Sequence, residues 1–152
     1  MMKQIPYGIT DFSRIQKENY YYVDKTMFIE KIEMQPPYLF LIRPRRFGKS
    51  LTLAMLEAYY DVNHAEQFDE LFGQLYIGQH PTKLHNQFLI MRFNFSEVSS
   101  NVNEVERSFK LHCSSKLKDF VYKYEHLFGK EIWNVLDAVS YTHLRAHETE
   151  LH

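Results

Sequence analysis

The chain has 152 residues, of which 45% are hydrophobic and 16% aromatic, enough for one domain with a real core and too apolar for a disordered chain. The formal net charge of −1 excludes a global electrostatic field that would attract nucleic acid or an anionic membrane. Any function that depends on positive charge must therefore use a local cluster of basic residues.

The first 42 residues are predicted to form two short helices followed by a strand. Residues 10–19 have the apolar spacing of a helix. A second helix is expected to be capped by Asp24 or Thr26 and to end at the proline pair at residues 36–37, because proline cannot continue a helix. Residues 38–42 are apolar without alternation, which predicts a strand covered on both faces.

The remaining elements alternate in the same way. A mostly buried helix is predicted over residues 48–60, a short helix around residues 68–72, a second strand over residues 88–95 and a long helix over residues 102–127. Strand, helix, strand and helix in this order indicate an α/β fold, with a partial parallel sheet flanked by helices.

The loop after the first strand resembles a phosphate-binding loop, written G-x-x-x-x-G-K-[ST]. Gly48, Lys49 and Ser50 match this pattern between the predicted strand and the predicted helix, while Arg43 stands in place of the first glycine. The residue pattern alone leaves open a simple turn with a solvated basic cluster.

If the loop binds a nucleotide, each residue type has a role. Gly48 lets the backbone approach a phosphate closely, and amides at the start of a helix attract anions. Lys49 would reach the β- and γ-phosphates, and the Ser50 hydroxyl would ligate Mg²⁺. The predicted cofactors are therefore ATP and Mg²⁺, with Ser50 as the metal ligand. The predicted nucleotide-binding residues are Arg45, Arg46, Phe47, Gly48, Lys49, Ser50 and Leu51.

The alternative is a basic binding module in which Arg43, Arg45 and Arg46 grip nucleic acid or an acidic partner without nucleotide. Such binding would weaken steeply with salt. The Gly-Lys-Ser run at a strand-to-helix junction favours nucleotide, because binding to a phosphate backbone requires no hydroxyl that ligates Mg²⁺. A need for Mg²⁺ would discriminate between the two.

Four ordered motifs resemble the bacterial AAA-ATPase-like family, and they lie at residues 5–9 with 11–12, at 20–26, at 43–51, and at 78–82 with 94–96. In that family the phosphate loop itself reads Arg-Pro-Arg-Arg-Phe-Gly-Lys-Ser, so Arg43 is no departure. The resemblance implies a P-loop ATPase, whose fuller members often have a carboxy-terminal domain similar to PD-(D/E)xK nucleases and hence nucleic acid as a further partner. Tyr22, Asp24 and Lys25 are candidates for the rim of the nucleotide, with a capping role for Asp24 equally open.

Hydrolysis in this class needs a second strand that ends in carboxylates. The predicted strand at residues 88–95 instead ends near Asn94 and contains Arg92. The resemblance implies that the family's acidic segment would follow this chain's last residue. We therefore expect residues 1–138 to be the amino-terminal part of an incomplete P-loop NTPase domain that binds ATP without hydrolysing it.

Residues 139–152 look like a translated sequencing adapter, and we expect them to be an artefactual tail that packs poorly. His143, His147 and Glu148 have a spacing that can bind metal on a helix, but an adapter has no selective history and we expect no metal there. Cys113 falls on an apolar helix stripe and is predicted to be a buried structural thiol. Since no signal peptide or membrane span is recognisable, we expect a cytoplasmic location without a membrane partner.

Overall fold

The computed structural model describes residues 3–44 and 46–129, and the regular structure of these residues is helical. Short 3₁₀ segments lie at Val62–Gln67 and Phe95–Glu97. The α-helices of the described residues are α1 (Phe12–Lys17), α2 (Phe28–Glu33), α3 (Lys49–Tyr60), α4 (Phe68–Phe72), α5 (Tyr76–Gln79) and α6 (Val105–Phe128). The predictions for Arg45 and for the tail at residues 139–152 lie outside the described residues.

The predicted helices at residues 10–19, 48–60, 68–72 and 102–127 are confirmed as α1, α3, α4 and α6. Local chemistry explains the start of α1, where the side chain of Asp11 accepts a hydrogen bond from the Arg14 amide at 3.1 Å. The helix after Asp24 is also confirmed, but neither proposed side chain caps it: α2 has no side-chain capping hydrogen bond.

The predicted α/β fold with a partial parallel sheet is wrong for the described residues, which form no β-strand. Residues 38–42 are irregular and exposed, with 88% of Tyr38, 88% of Phe40 and 91% of Ile42 accessible to solvent. A strand is held by backbone hydrogen bonds to a neighbour, and no described segment provides that neighbour. An apolar run without a partner does not become a strand.

The predicted strand at residues 88–95 is also wrong. It contributes one isolated parallel bridge, between Asp61 and Phe88, in which Phe88 donates to Tyr60 at 2.9 Å and accepts from Val62 at 3.1 Å. After the bridge, the Ile90 amide donates to a side chain and not to a neighbouring strand: its acceptor is the Tyr124 hydroxyl, at 2.7 Å. The ladder therefore ends after one residue.

The described chain divides into two units, one up to Leu89 and one from Ile90 onwards. The first unit has an aromatic core in which α1, α3 and α4 meet. The ring of Phe72 lies 5.0 Å from that of Phe12 and 5.4 Å, edge-on, from that of Tyr59. These three side chains are fully buried. Their packing fixes the position of α3, at whose first residue Lys49 stands.

The second unit is built on α6. Among its described residues, Val121 and Tyr124 are buried hydrophobic side chains, while His112 is 9% exposed and its Nδ1 lies 3.5 Å from the Glu97 carboxylate. Cys113 is a half-buried free thiol and not the buried one that the apolar stripe predicted. The apolar stripe predicted burial, but this face of α6 stays partly open to solvent. Phe109, on the same stripe, is 45% exposed.

The stability of the first unit should depend on pH through Tyr22. Burial, and next the Asp24 carboxylate, raise the pKa of Tyr22 to about 12 from its ordinary 10.0. The folded state keeps the phenol proton where the unfolded chain loses it, so this contribution is complete below pH 10 and is lost as the pH rises towards 12. We expect Tyr22→Phe to flatten that part of a profile of unfolding free energy against pH, measured by chemical denaturation. An unchanged slope would contradict this assignment.

Candidate functional site

The loop before α3 has an unusual backbone. Arg46 and Gly48 both adopt left-handed conformations, with φ of 65° and 73°. Glycine takes this conformation freely, whereas for arginine it is uncommon and costs on the order of 1 kcal/mol. The Phe47 amide closes the turn by donating to the Pro44 carbonyl at 3.4 Å. Strain at a residue beside a helix start is a feature that recurs at ligand sites.

Lys49 is the first residue of α3, and its side chain folds back into the loop. The ammonium donates to the carbonyl of Arg43 at 2.6 Å and to that of Pro44 at 3.3 Å. An ammonium has three protons, so two hydrogen bonds leave one proton for a ligand. The loop thus holds a positive charge next to the helix start.

The amides at the start of α3 are available to an anion. No side chain caps this helix end, and among the described residues no acceptor takes the amides of Ser50 and Leu51. Thr52 is the residue of this turn whose amide bonds back to the loop, and its amide and hydroxyl both donate to the Gly48 carbonyl, at 2.8 and 2.9 Å. Unpaired amides and the helix dipole together favour negative charge here.

The surroundings of Gly48 leave room for a ligand. A β-carbon built at this glycine meets no atom within 4 Å. Ser50 is exposed, and its hydroxyl makes no hydrogen bond within the part of the chain that the structure describes. The space around the first turn of α3 is therefore open, and the Ser50 hydroxyl has an unused lone pair for a metal ion.

A cleft of about 280 Å³ adjoins the loop. It lies between the segment after α1, the helix α2 and the first half of α3. Lys25 and Arg43 contribute positive charge to its lining, and no aspartate or glutamate is among the described residues that line it. Its apolar and aromatic walls include Tyr21, Tyr22, Phe28, Leu41, Phe47 and Leu51.

The structure brings most of the predicted site together. Phe47, Gly48 and Leu51 line the cleft, and Lys49 and Ser50 form the first turn beside it. Arg46 belongs to the same loop and is exposed.

Of the three rim candidates, Tyr22 and Lys25 line the cleft and Asp24 does not. The Asp24 carboxylate accepts from the amide and hydroxyl of Thr26 at 2.8 and 2.7 Å and from the amide of Tyr76 at 2.7 Å. Asp24 thus ties its own segment to the start of α5. Sequence reasoning missed this contact, because nothing local points to a residue 52 positions away.

Tyr21, Phe28 and Leu41 also belong to the cleft and were not predicted as site residues. Phe28 has the spacing of a core residue, yet 48% of it is exposed. Its proximity to a phosphate-loop motif could have been suspected only from the tertiary arrangement of α2 and α3.

A metal ion would find few protein ligands here. The described residues contain no group of three or more histidine, cysteine, aspartate or glutamate side chains that could hold a metal ion. The hydroxyl of Ser50 is the oxygen ligand that the first turn offers. None of the helices in the described segments is both long and apolar enough to cross a membrane.

Comparison with known proteins places the chain in a family. The chain is similar to an uncharacterized protein in the vnfD 5′ region of Azotobacter chroococcum mcd 1, with 51% identity over 55 residues. That match covers 36% of this chain and 11% of the Azotobacter protein, so the chain spans a small part of its relative's length. No solved structure matches. The family model described as predicted AAA-ATPase matches residues 6–150, and the chain therefore belongs to the AAA-ATPase-like family.

Proposed function

We propose that residues 45–51 bind the phosphates of a nucleoside triphosphate, with ATP as the ligand and Mg²⁺ as its counterion. The observation that carries this proposal is that an uncapped helix start carries both the Lys49 ammonium, held in the loop before it, and the unpaired amides of Ser50 and Leu51. Several donors on one open helix start suit a polyphosphate better than a single carboxylate.

The residues fit a Mg²⁺–triphosphate group. Gly48 leaves space for a phosphate, and the hydroxyl of Ser50 is free to ligate the ion. Magnesium keeps several waters and is commonly held through phosphate oxygens and few protein ligands, so one hydroxyl is a sufficient anchor. Bound Mg²⁺ would neutralise phosphate charge. The chain's own contribution is to position the triphosphate through Lys49 and the helix amides.

We propose binding here and not turnover. Phosphoryl transfer needs groups that position the attacking water, commonly carboxylates. The described lining of the cleft has none, and the Asp24 carboxylate is engaged by the backbone of Tyr76 and by Thr26.

The geometry favours nucleotide over the alternative of an arginine cluster for nucleic acid. Arg43 is half-buried and lines the cleft, and its carbonyl accepts from Lys49. An arginine that grips a nucleic acid backbone would be exposed, as Arg46 is, and the half-buried Arg43 is the residue that does not fit such a cluster. Arg43 thus contributes its backbone carbonyl to the loop and lines the cleft.

The test is a titration of a fluorescent ATP analogue in Mg²⁺ and in EDTA. We expect wild-type binding to require Mg²⁺, and Ser50→Ala to lower the affinity in Mg²⁺ about fivefold, the loss of one ligand worth about 1 kcal/mol. In EDTA the two proteins should bind equally poorly. Ser100→Ala, at another exposed serine, is the matched control and should behave as wild type.

Binding that ignores Mg²⁺, weakens with salt and is displaced by an oligonucleotide would contradict the nucleotide proposal. That result would favour the arginine cluster.

A further inference from the structure

Three aromatic rings that line the cleft are largely exposed to solvent. Tyr21 is 56% exposed, Phe28 48% and Phe47 65%. Exposed apolar residues are common singly, but several around one concave site mark a ligand surface. These rings come from three separate segments of the chain, so their convergence is a product of the fold.

Another part of the lining is anchored in the core. Ile29 and Met55 are buried and line the cleft as well. Tyr22 packs edge-on against the buried ring of Phe12, with 5.4 Å between the ring centroids. The cleft therefore combines walls fixed in the core with partly exposed aromatic rings, which is the arrangement of a preformed site for a flat apolar group. The Lys31 ammonium lies 5.3 Å from the centre of the Phe28 ring and can cover one of its two faces.

Resting on the proposed function, we infer that this cleft holds the base of the bound nucleotide. Gly48 and Leu51 line the cleft and also belong to the phosphate loop, so the two sites are continuous. Every base has a π-face that stacks on aromatic side chains. The volume of about 280 Å³ lies just below the roughly 300–1,000 Å³ typical of sites for drug-sized ligands, and it suits one base.

The test compares ATP with inorganic tripolyphosphate, both in Mg²⁺, by calorimetry on the full chain. We expect the wild type to bind ATP at least tenfold more tightly than tripolyphosphate. Phe28→Ala should lower the ATP affinity about tenfold and leave the tripolyphosphate affinity unchanged, because it removes one stacking surface and no phosphate contact. Phe28→Tyr, which keeps the ring, should retain the wild-type affinity for ATP.

The matched control is Tyr38→Ala, at an aromatic residue that is 88% exposed and does not line the cleft. Unchanged tripolyphosphate binding also reports that each variant is folded. Equal affinity of the wild type for ATP and tripolyphosphate would overturn this inference and leave the phosphate site standing. Failure of the wild type to bind either ligand would overturn the proposed function, and the base site with it.

Discussion

Replacing Lys49 with alanine is expected to lower the affinity for ATP by at least tenfold. The ammonium has one proton beyond those it donates to the carbonyls of Arg43 and Pro44, and it stands at the start of α3. Hydrogen bonds to charged groups contribute about 1.5–3 kcal/mol, which corresponds to roughly ten- to hundredfold in affinity. Equilibrium titration with a fluorescent ATP analogue in Mg²⁺ measures the effect.

Lys83→Ala provides the matched control. Lys83 is exposed and does not line the cleft, so its removal changes the net charge by the same amount and should leave ATP affinity within about twofold. Because Lys49 also holds the loop, the unfolding free energy of Lys49→Ala should be measured alongside. Equal ATP binding by Lys49→Ala and wild type would reject the phosphate role of Lys49.

The start of α3 was predictable because its determinants are local. A glycine that tolerates positive φ, followed by a lysine and an apolar helical stretch, specifies a helix start at residue 49. The strained Arg46 was not predictable, since its left-handed backbone is a property of the folded loop and no residue preference announces it.

The lack of a β-sheet among the described residues could not be predicted from a local pattern of this kind. The run at residues 38–42 has strand composition, but strand formation depends on hydrogen bonds to a partner that lies elsewhere in the chain. Among the described residues the one parallel bridge joins Asp61 to Phe88, and no ladder extends from it. Composition identified apolar segments correctly and assigned them the wrong conformation.

The cleft shows a similar limit at the level of side chains. Phe28 and Ile29 are adjacent apolar residues of α2, and the structure buries Ile29 while leaving Phe28 partly exposed in the cleft. Adjacent residues on a helix point about 100° apart, so one can face the core while the other faces solvent. Which one does so depends on how α2 packs, and that information is not local.

The role of Asp24 could not be decided from the sequence, which left open a place at the rim of the nucleotide and a helix cap. The structure shows a third role. One carboxylate oxygen accepts from Thr26, and the other accepts from the Tyr76 amide at 2.7 Å. Thr26, fully buried, in turn accepts from the Ile77 amide at 3.1 Å. The two side chains supply acceptors for the first two amides of α5, which no residue of its own caps.

Asp24→Ala is therefore expected to lower the free energy of unfolding by about 3 kcal/mol, since it removes charged hydrogen bonds and leaves the Thr26 hydroxyl and the Tyr76 amide without their acceptor. Asp24→Asn, which keeps one acceptor oxygen, should lose less. Asp69→Ala, at an exposed carboxylate in the first turn of α4, is the control and should cost under about 1 kcal/mol. Urea denaturation gives these values.

Under conditions where each variant is folded, ATP affinity should stay within about twofold of wild type, because Asp24 is not part of the cleft. A variant of full stability that had lost ATP binding would return Asp24 to the rim of the nucleotide.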